Sequence, residues 1–115
     1  MPFFKIETNV SIQSDDELDT LLKAASKLVS NILGKPEQYI MLSYLHNPDM
    51  LFNGKNSALA YVELKSIGLD DTKTTAYSAA ICDFLSEKLN IPADRTYIEF
   101  SDAARHLWGW NNKTF

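Results

Sequence analysis

Cysteine is almost missing from this chain: Cys82 is the single one among 115 residues. With no second thiol, an intrachain disulfide framework and a multi-cysteine metal knot are both excluded. Glycine and proline are held to four positions each, too few for a collagen-like or low-complexity chain. No uninterrupted apolar run approaches 18 residues, so nothing reads as a membrane-spanning helix. Positive charge is also scarce. Eleven Lys and Arg face fifteen Asp and Glu, for a formal net charge of −4 and a pI near 5.0. That balance argues against a generic nucleic-acid binder or a basic membrane-surface protein. The opening Met-Pro-Phe-Phe-Lys-Ile-Glu meets charge at once and has no signal-peptide core, so a cytoplasmic location is expected. What is present is an ordinary globular mixture, 45% hydrophobic and 23% charged. One domain over residues 1–115 is expected, because two independent cores would have fewer than about 60 residues each.

Periodicity supplies the elements. Ser14-Asp-Asp-Glu17 has capping-box spacing, and Leu18, Leu21, Leu22, Ala25, Leu28, Val29, Ile32 and Leu33 follow at steps that trace one helical face. Gly34 and then Pro36 end that helix, which is predicted over 15–33. A second helix is predicted from near Thr72, through Tyr77, Ala80, Ile81, Phe84, Leu85 and Leu89, to a stop at Pro92. Phe4, Ile6, Thr8 and Val10 alternate with Phe3, Lys5, Glu7 and Asn9 as a strand does. Residues 39–45 read as a mostly buried strand, 60–65 as an alternating one, and 97–100 as a fourth, shorter one. Trp108-Gly-Trp110 and Phe115 read as a C-terminal hairpin about Asn111-Asn112, with aromatic packing as its first role.

The order is β-α-β followed by β-α-β. Each unit makes its two strands parallel, with a right-handed helical crossover. Two units together predict an α/β (α+β) domain with a four-stranded mixed sheet and both helices on one face. The other face would then be bare. Bearing Phe, Tyr and Met, it would favour aggregation of a monomer, and oligomerisation is the simplest remedy.

Few residues offer chemistry. A small residue after Met1 normally permits removal of that Met, which would expose a secondary amine at Pro2. An α-amine titrates near about 7.7–8.0, close to what a general base needs, and an apolar pocket would lower it further. On position alone, the bland reading is the favoured one: Met-Pro is merely an uninformative start. Lys35, between Gly34 and Pro36, is a fixed cation that could clamp a carboxylate or simply complement the negative end of the helix. Cys82 lies beside the apolar stripe and reads as a structural thiol. His46 and His106 fall in predicted loops without the spacing of a zinc site. There is no glycine-rich phosphate loop, and Ser66-Ile67-Gly68 is not a nucleophile elbow.

Taken together, five short motifs change the picture. They are Met1-Pro2 with Thr8-Asn9-Val10, then Gly34-Lys35-Pro36-Glu37-Gln38-Tyr39-Ile40, then Ser66-Ile67-Gly68. Pro92-Ala-Asp94-Arg95-Thr-Tyr97-Ile98 follows, and Gly109-Trp110-Asn111 through Thr114-Phe115 closes the set. In this order, over a chain of this length, they resemble the macrophage migration inhibitory factor family of the tautomerase superfamily, essentially end to end. The resemblance implies a homotrimer whose sheets enclose a central channel. It also implies a keto–enol tautomerase acting on phenylpyruvate- or dopachrome-like substrates, such as an aromatic 2-keto acid, with no metal or organic cofactor. By that resemblance Pro2 is the catalytic base and returning acid, while Lys35 and the backbone at Ile67 hold the substrate's polar end. Tyr97 would come from a neighbouring subunit, with Trp110 and Phe115 near the pocket mouth.

Three departures bear on the expectation. Better-known members have a Cys-x-x-Cys motif where this chain has Leu59 and Val62, so the thiol–disulfide activity tied to it is not expected. Glu99 stands where the family often has Asn. Sharing a strand face with Tyr97, it would raise the Pro2 pKa and repel anions if it entered the same pocket. The loops Phe52-Asn53-Gly54 and Ser66-Ile67-Gly68-Leu69 also differ from the family's usual glycine pairs. The resemblance has a second face: some members are secreted by unconventional routes and act as cytokines. A cytokine-like trimeric binding or signalling protein with a vestigial pocket, meeting a receptor partner if secreted, is therefore the alternative.

Overall fold

Ser14 opens the first helix. Its side chain accepts the Glu17 backbone N–H at 3.1 Å, although the exposed Glu17 carboxylate makes no return bond. The helix, α1, runs Asp15–Leu33 in the computed structural model, which describes residues 1–115. Leu21, Ala25 and Val29 form its buried stripe. Gly34 ends it in the left-handed region at φ 65°, sending its N–H back to the Ser30 carbonyl, a conformation that costs a side-chain-bearing residue more than glycine.

The main sheet contains β1 (Phe3–Thr8), β2 (Met41–His46), β3 (Ala60–Ile67) and β4 (Thr96–Ala103), in the order β2-β1-β3-β4. The outer pairs are parallel and the central pair antiparallel, so the two β-α-β units meet along β1 and β3. The second helix, α2, spans Thr74–Leu89. It starts two residues later than predicted, because Asp71–Lys73 form a separate 3-10 turn. The Asp70 carboxylate caps that turn, accepting from the Thr72 amide at 3.0 Å and from its hydroxyl at 2.6 Å. A small hairpin, β5 (Gly109–Trp110) with β6 (Lys113–Thr114), turns through Asn111 and Asn112, both at positive φ as a two-residue hairpin turn requires.

Alternation decides what the sheet buries. Phe4 and Ile6 of β1 and Val62 and Leu64 of β3 point under the helices with Val29, Ile81, Leu85 and Ile91, all of them 0–1% exposed. Each such side chain contributes roughly 1.5–3 kcal/mol when fully buried. Thr8 shares this face. Its hydroxyl donates to the Leu59 carbonyl at 2.6 Å and accepts the Val10 amide at 3.1 Å, so a polar group sits in the core fully paired. No helix is long and apolar enough to cross a membrane.

Four expectations need correction. The fourth strand is as long as the third, because Asp102 prolongs it, accepting the Leu69 amide at 3.1 Å. Tyr39 lies in a 3-10 turn, Glu37–Tyr39, before β2 rather than in it. His46 closes β2 instead of lying in a loop. The helix-free face is also more polar than expected. Met41, Leu45 and Tyr97 are exposed there, but its centre holds Lys5 3.7 Å from Glu7 and Lys65 3.7 Å from Glu63. Tyr61 donates to Glu99 across it at 2.6 Å. Such charge discourages indiscriminate pairing of the face.

One turn occurs twice. After α1 the chain runs Gly34 (left-handed), Lys35, Pro36 and a 3-10 turn into β2. After α2 it runs Asn90 (left-handed), Ile91, Pro92 and a 3-10 turn into β4. The middle residue of the first is a half-buried lysine; that of the second is a fully buried isoleucine.

Candidate active site at the amino terminus

Pro2 immediately precedes β1. Its ring is less than 2% exposed, and its carbonyl accepts the Met41 amide at 3.0 Å, extending the β1–β2 ladder by one bond. It lies at a cleft of about 240 Å³ formed with Tyr39, Ile40, Trp108, Trp110 and Phe115. The hairpin delivers the outer wall. Trp110 and Phe115 stack with centroids 5.5 Å apart and planes 8° apart, and Tyr39 meets them edge-on at 5.8 and 6.4 Å. The Phe115 amide also donates to the Trp108 carbonyl at 3.2 Å. The result is a flat-sided apolar slot suited to a planar ring.

Lys35 reaches the same end of the molecule from the α1 stop. Its backbone is pinned twice: its amide donates to the Ser30 carbonyl at 3.3 Å, and the Ser30 hydroxyl donates to its own carbonyl at 2.6 Å. It has no acidic partner within ion-pair distance. The Met1 ammonium is held below its usual range, chiefly by burial and then by the Lys35 charge. Ile67 ends β3 at 7% exposure. Because Phe3 pairs with Lys65 in antiparallel register, two further steps bring Ile67 abreast of Met1. Pro2, Lys35, Ile67, Trp110 and Phe115 thus converge on one end of the sheet.

Tyr97 and Glu99 do not join them within the protomer. Both lie on edge strand β4, where Glu99 is taken by Tyr61 and the 65% exposed Tyr97 ring packs on Phe52 at 4.8 Å. Arg95 fixes that arrangement. Its guanidinium donates to the carbonyls of Ala58, Phe52 and Lys55 at 3.0 Å and of Ser57 at 3.1 Å, and it lies 5.4 Å from the Phe52 ring centroid. The residue that sequence reasoning missed is Tyr39. Its signal was available in Pro36, which starts a turn here as Pro92 does later. No three His, Cys, Asp or Glu side chains converge as a metal-holding group.

Fold and site together define a class: an α+β protein of two β-α-β units, with its amino terminus set in an aromatic-walled cleft beside a lysine. The family model for macrophage migration inhibitory factor (MIF) matches residues 1–115. The chain is 38% identical over 116 residues to a macrophage migration inhibitory factor of Xenopus tropicalis, covering 100% of this chain and 99% of that one. It is also similar to the solved structure of a macrophage migration inhibitory factor homologue from Prochlorococcus marinus, at TM-score 0.89 and 41% identity, with 98% of each chain covered. The macrophage migration inhibitory factor from Trichinella spiralis superposes at TM-score 0.88 and 34% identity over 98% of this chain and 99% of that one. The chain belongs to the MIF family, within the tautomerase superfamily.

Proposed function

We propose that this chain, after removal of Met1, acts as a cofactor-independent keto–enol tautomerase on aromatic 2-keto acids of the phenylpyruvate type, working as a homotrimer of one domain per chain. The observation that carries the reading is the surroundings of Pro2: a nearly inaccessible ring at an aromatic cleft, next to an amino terminus that feels the charge of the unpaired Lys35. The reaction moves one proton between the carbon α to the ketone and the ketone oxygen. A single amine of near-neutral pKa serves, taking the proton and giving it back.

With Met1 attached, the Pro2 nitrogen is a tertiary amide and cannot accept a proton. Removal of Met1 turns it into a secondary amine inside the protein. Burial and the Lys35 cation already depress the Met1 ammonium, and the same two causes would act on an amine at Pro2. Lys35 holds the substrate carboxylate and stabilises negative charge developing toward the enolate. The backbone at Ile67 meets the polar end, and Tyr39, Trp110 and Phe115 hold the ring. The trimer accounts for Tyr97 and Glu99, which a neighbouring subunit would bring to the cleft.

The test is ketonisation of enol-phenylpyruvate by protein whose intact mass lacks Met1. Turnover is expected, with a loss of about 10²–10⁴-fold in Pro2→Gly, the usual contribution of a positioned acid–base group. Unchanged turnover in Pro2→Gly, or none from correctly processed trimer, overturns the reading and leaves a binding protein.

A further inference from the structure

Lys35 lines a second concavity, of about 380 Å³, that shares no lining residue with the aromatic slot. Its walls come from the end of α1, from the end of β3 and the turn after it, and from the start of α2, and include Asn31, Lys35, Ser66, Gly68, Lys73 and Tyr77. Three features favour an anion in it. Lys35 is half-buried without an acidic partner. Tyr77 is only 6% exposed, yet its hydroxyl takes no part in the chain's hydrogen bonding; since no inaccessible side-chain polar atom is left unpaired, that hydroxyl opens to solvent, and this is the cleft its residue lines. Lys73 also lines the cleft, at the end of the 3-10 turn that leads into α2; Asp70 and Asp71 precede it there, Asp71 exposed and outside the cleft.

One carboxylate, Asp70, also lines the cleft, 3.9 Å from the Lys73 ammonium. It is occupied by the Thr72 amide and hydroxyl as a turn cap, and its pairing with the exposed Lys73 is loose. Two ammonium groups and a free phenol against one committed carboxylate leave a surplus of donors around a space with ample room for a small anion and its water.

We propose that the cleft between Lys35 and Lys73 binds a small divalent oxyanion, phosphate or a short dicarboxylate, with the Tyr77 hydroxyl as its third donor. Because Lys35 also serves the substrate carboxylate of the proposed reaction, an anion bound here opposes that carboxylate. This second consequence rests on the tautomerase reading; the binding itself does not.

The experiment is a thermal-unfolding titration of the processed protein with sodium phosphate and, separately, sodium succinate, each against sodium chloride at matched ionic strength. A saturable rise in Tm with either divalent anion and none with chloride is expected, and the anion that saturates at the lower concentration defines the ligand's shape. Lys73→Met and Tyr77→Phe, both conservative in bulk, should each weaken binding about tenfold, in keeping with loss of one hydrogen bond to a charged group. Lys23→Met, on the exposed side of α1, should leave it unchanged. An equal response to chloride, or an unaltered titration in both cleft variants, overturns the site. In the catalytic assay phosphate should raise KM without lowering kcat and lose that effect in Lys73→Met. A saturable Tm shift with no turnover in any form retains the anion site and removes only the tautomerase.

Discussion

Arg95 offers the sharpest test of how this fold holds its far edge. Arg95→Ala removes four donors from four backbone carbonyls of the 52–58 loop. The bonds to Phe52 and Ala58 are partly buried and those to Lys55 and Ser57 exposed. Discounting for solvent, each partly buried bond is worth about 1 kcal/mol and each exposed one about 0.5 kcal/mol. The contact with the Phe52 face, also partly solvated, adds about 0.5 kcal/mol. The expected loss is therefore about 3.5 kcal/mol, a large fraction of a stability of about 5–15 kcal/mol. With a urea slope of about 1.5 kcal/mol/M, the midpoint should fall by about 2 M, followed by far-UV circular dichroism at one fixed protein concentration, since assembly shifts apparent stability. Arg95→Lys keeps the charge but cannot span four carbonyls, and should lose more than half as much. A shift below about 0.3 M in Arg95→Ala, equivalent to about 0.5 kcal/mol, would refute the reasoning and mean that water serves those carbonyls as well as the guanidinium does.

Two further outcomes follow from the core and the open face. Thr8→Val keeps the shape but strands the Leu59 carbonyl and the Val10 amide, so equilibrium unfolding should report a loss of about 2–3 kcal/mol. Tyr61 has its pKa raised to about 12, first by its hydrogen bond to Glu99; Glu99→Gln should move its ultraviolet titration back toward the ordinary phenol range. The sign is that of a raised acid: the folded state favours neutral Tyr61, so its contribution is whole below about pH 10 and disappears as pH rises through about 12. A Tyr61 titration unmoved by Glu99→Gln would show that the carboxylate is not the cause.

Much of this architecture was legible because its signals are local. The 15–33 helix has a side-chain cap at one end and a left-handed glycine at the other, and both β-α-β units follow from period alone. The length of β4 was hidden because Asp102 occupies a position where alternation calls for an apolar residue; only the distant Leu69 amide explains it. Of the site, Pro2 and Lys35 could be singled out by chemistry and position, and the hairpin aromatics by composition. Their meeting could not, since it depends on the antiparallel register of β1 with β3 and on the turn that presents Tyr39. The polarity of the helix-free face was only partly hidden: Lys5 with Glu7 and Glu63 with Lys65 pair along single strands, and only the Tyr61–Glu99 bond needs β3 and β4 laid side by side.

The twice-used turn has a consequence for how the chain can change. At Lys35 the middle residue is only half-buried, so drift there carries little risk to folding and, on the proposed reading, alters what the protein recognises. At Ile91 the equivalent residue is fully enclosed in the core, and even a conservative swap would disturb the packing there. A survey of tolerated substitutions should therefore be lopsided: permissive and ligand-sensitive after the first helix, restrictive and ligand-blind after the second. For anyone reshaping the protein, the first turn is the place to install new specificity, and the second is the one to leave alone.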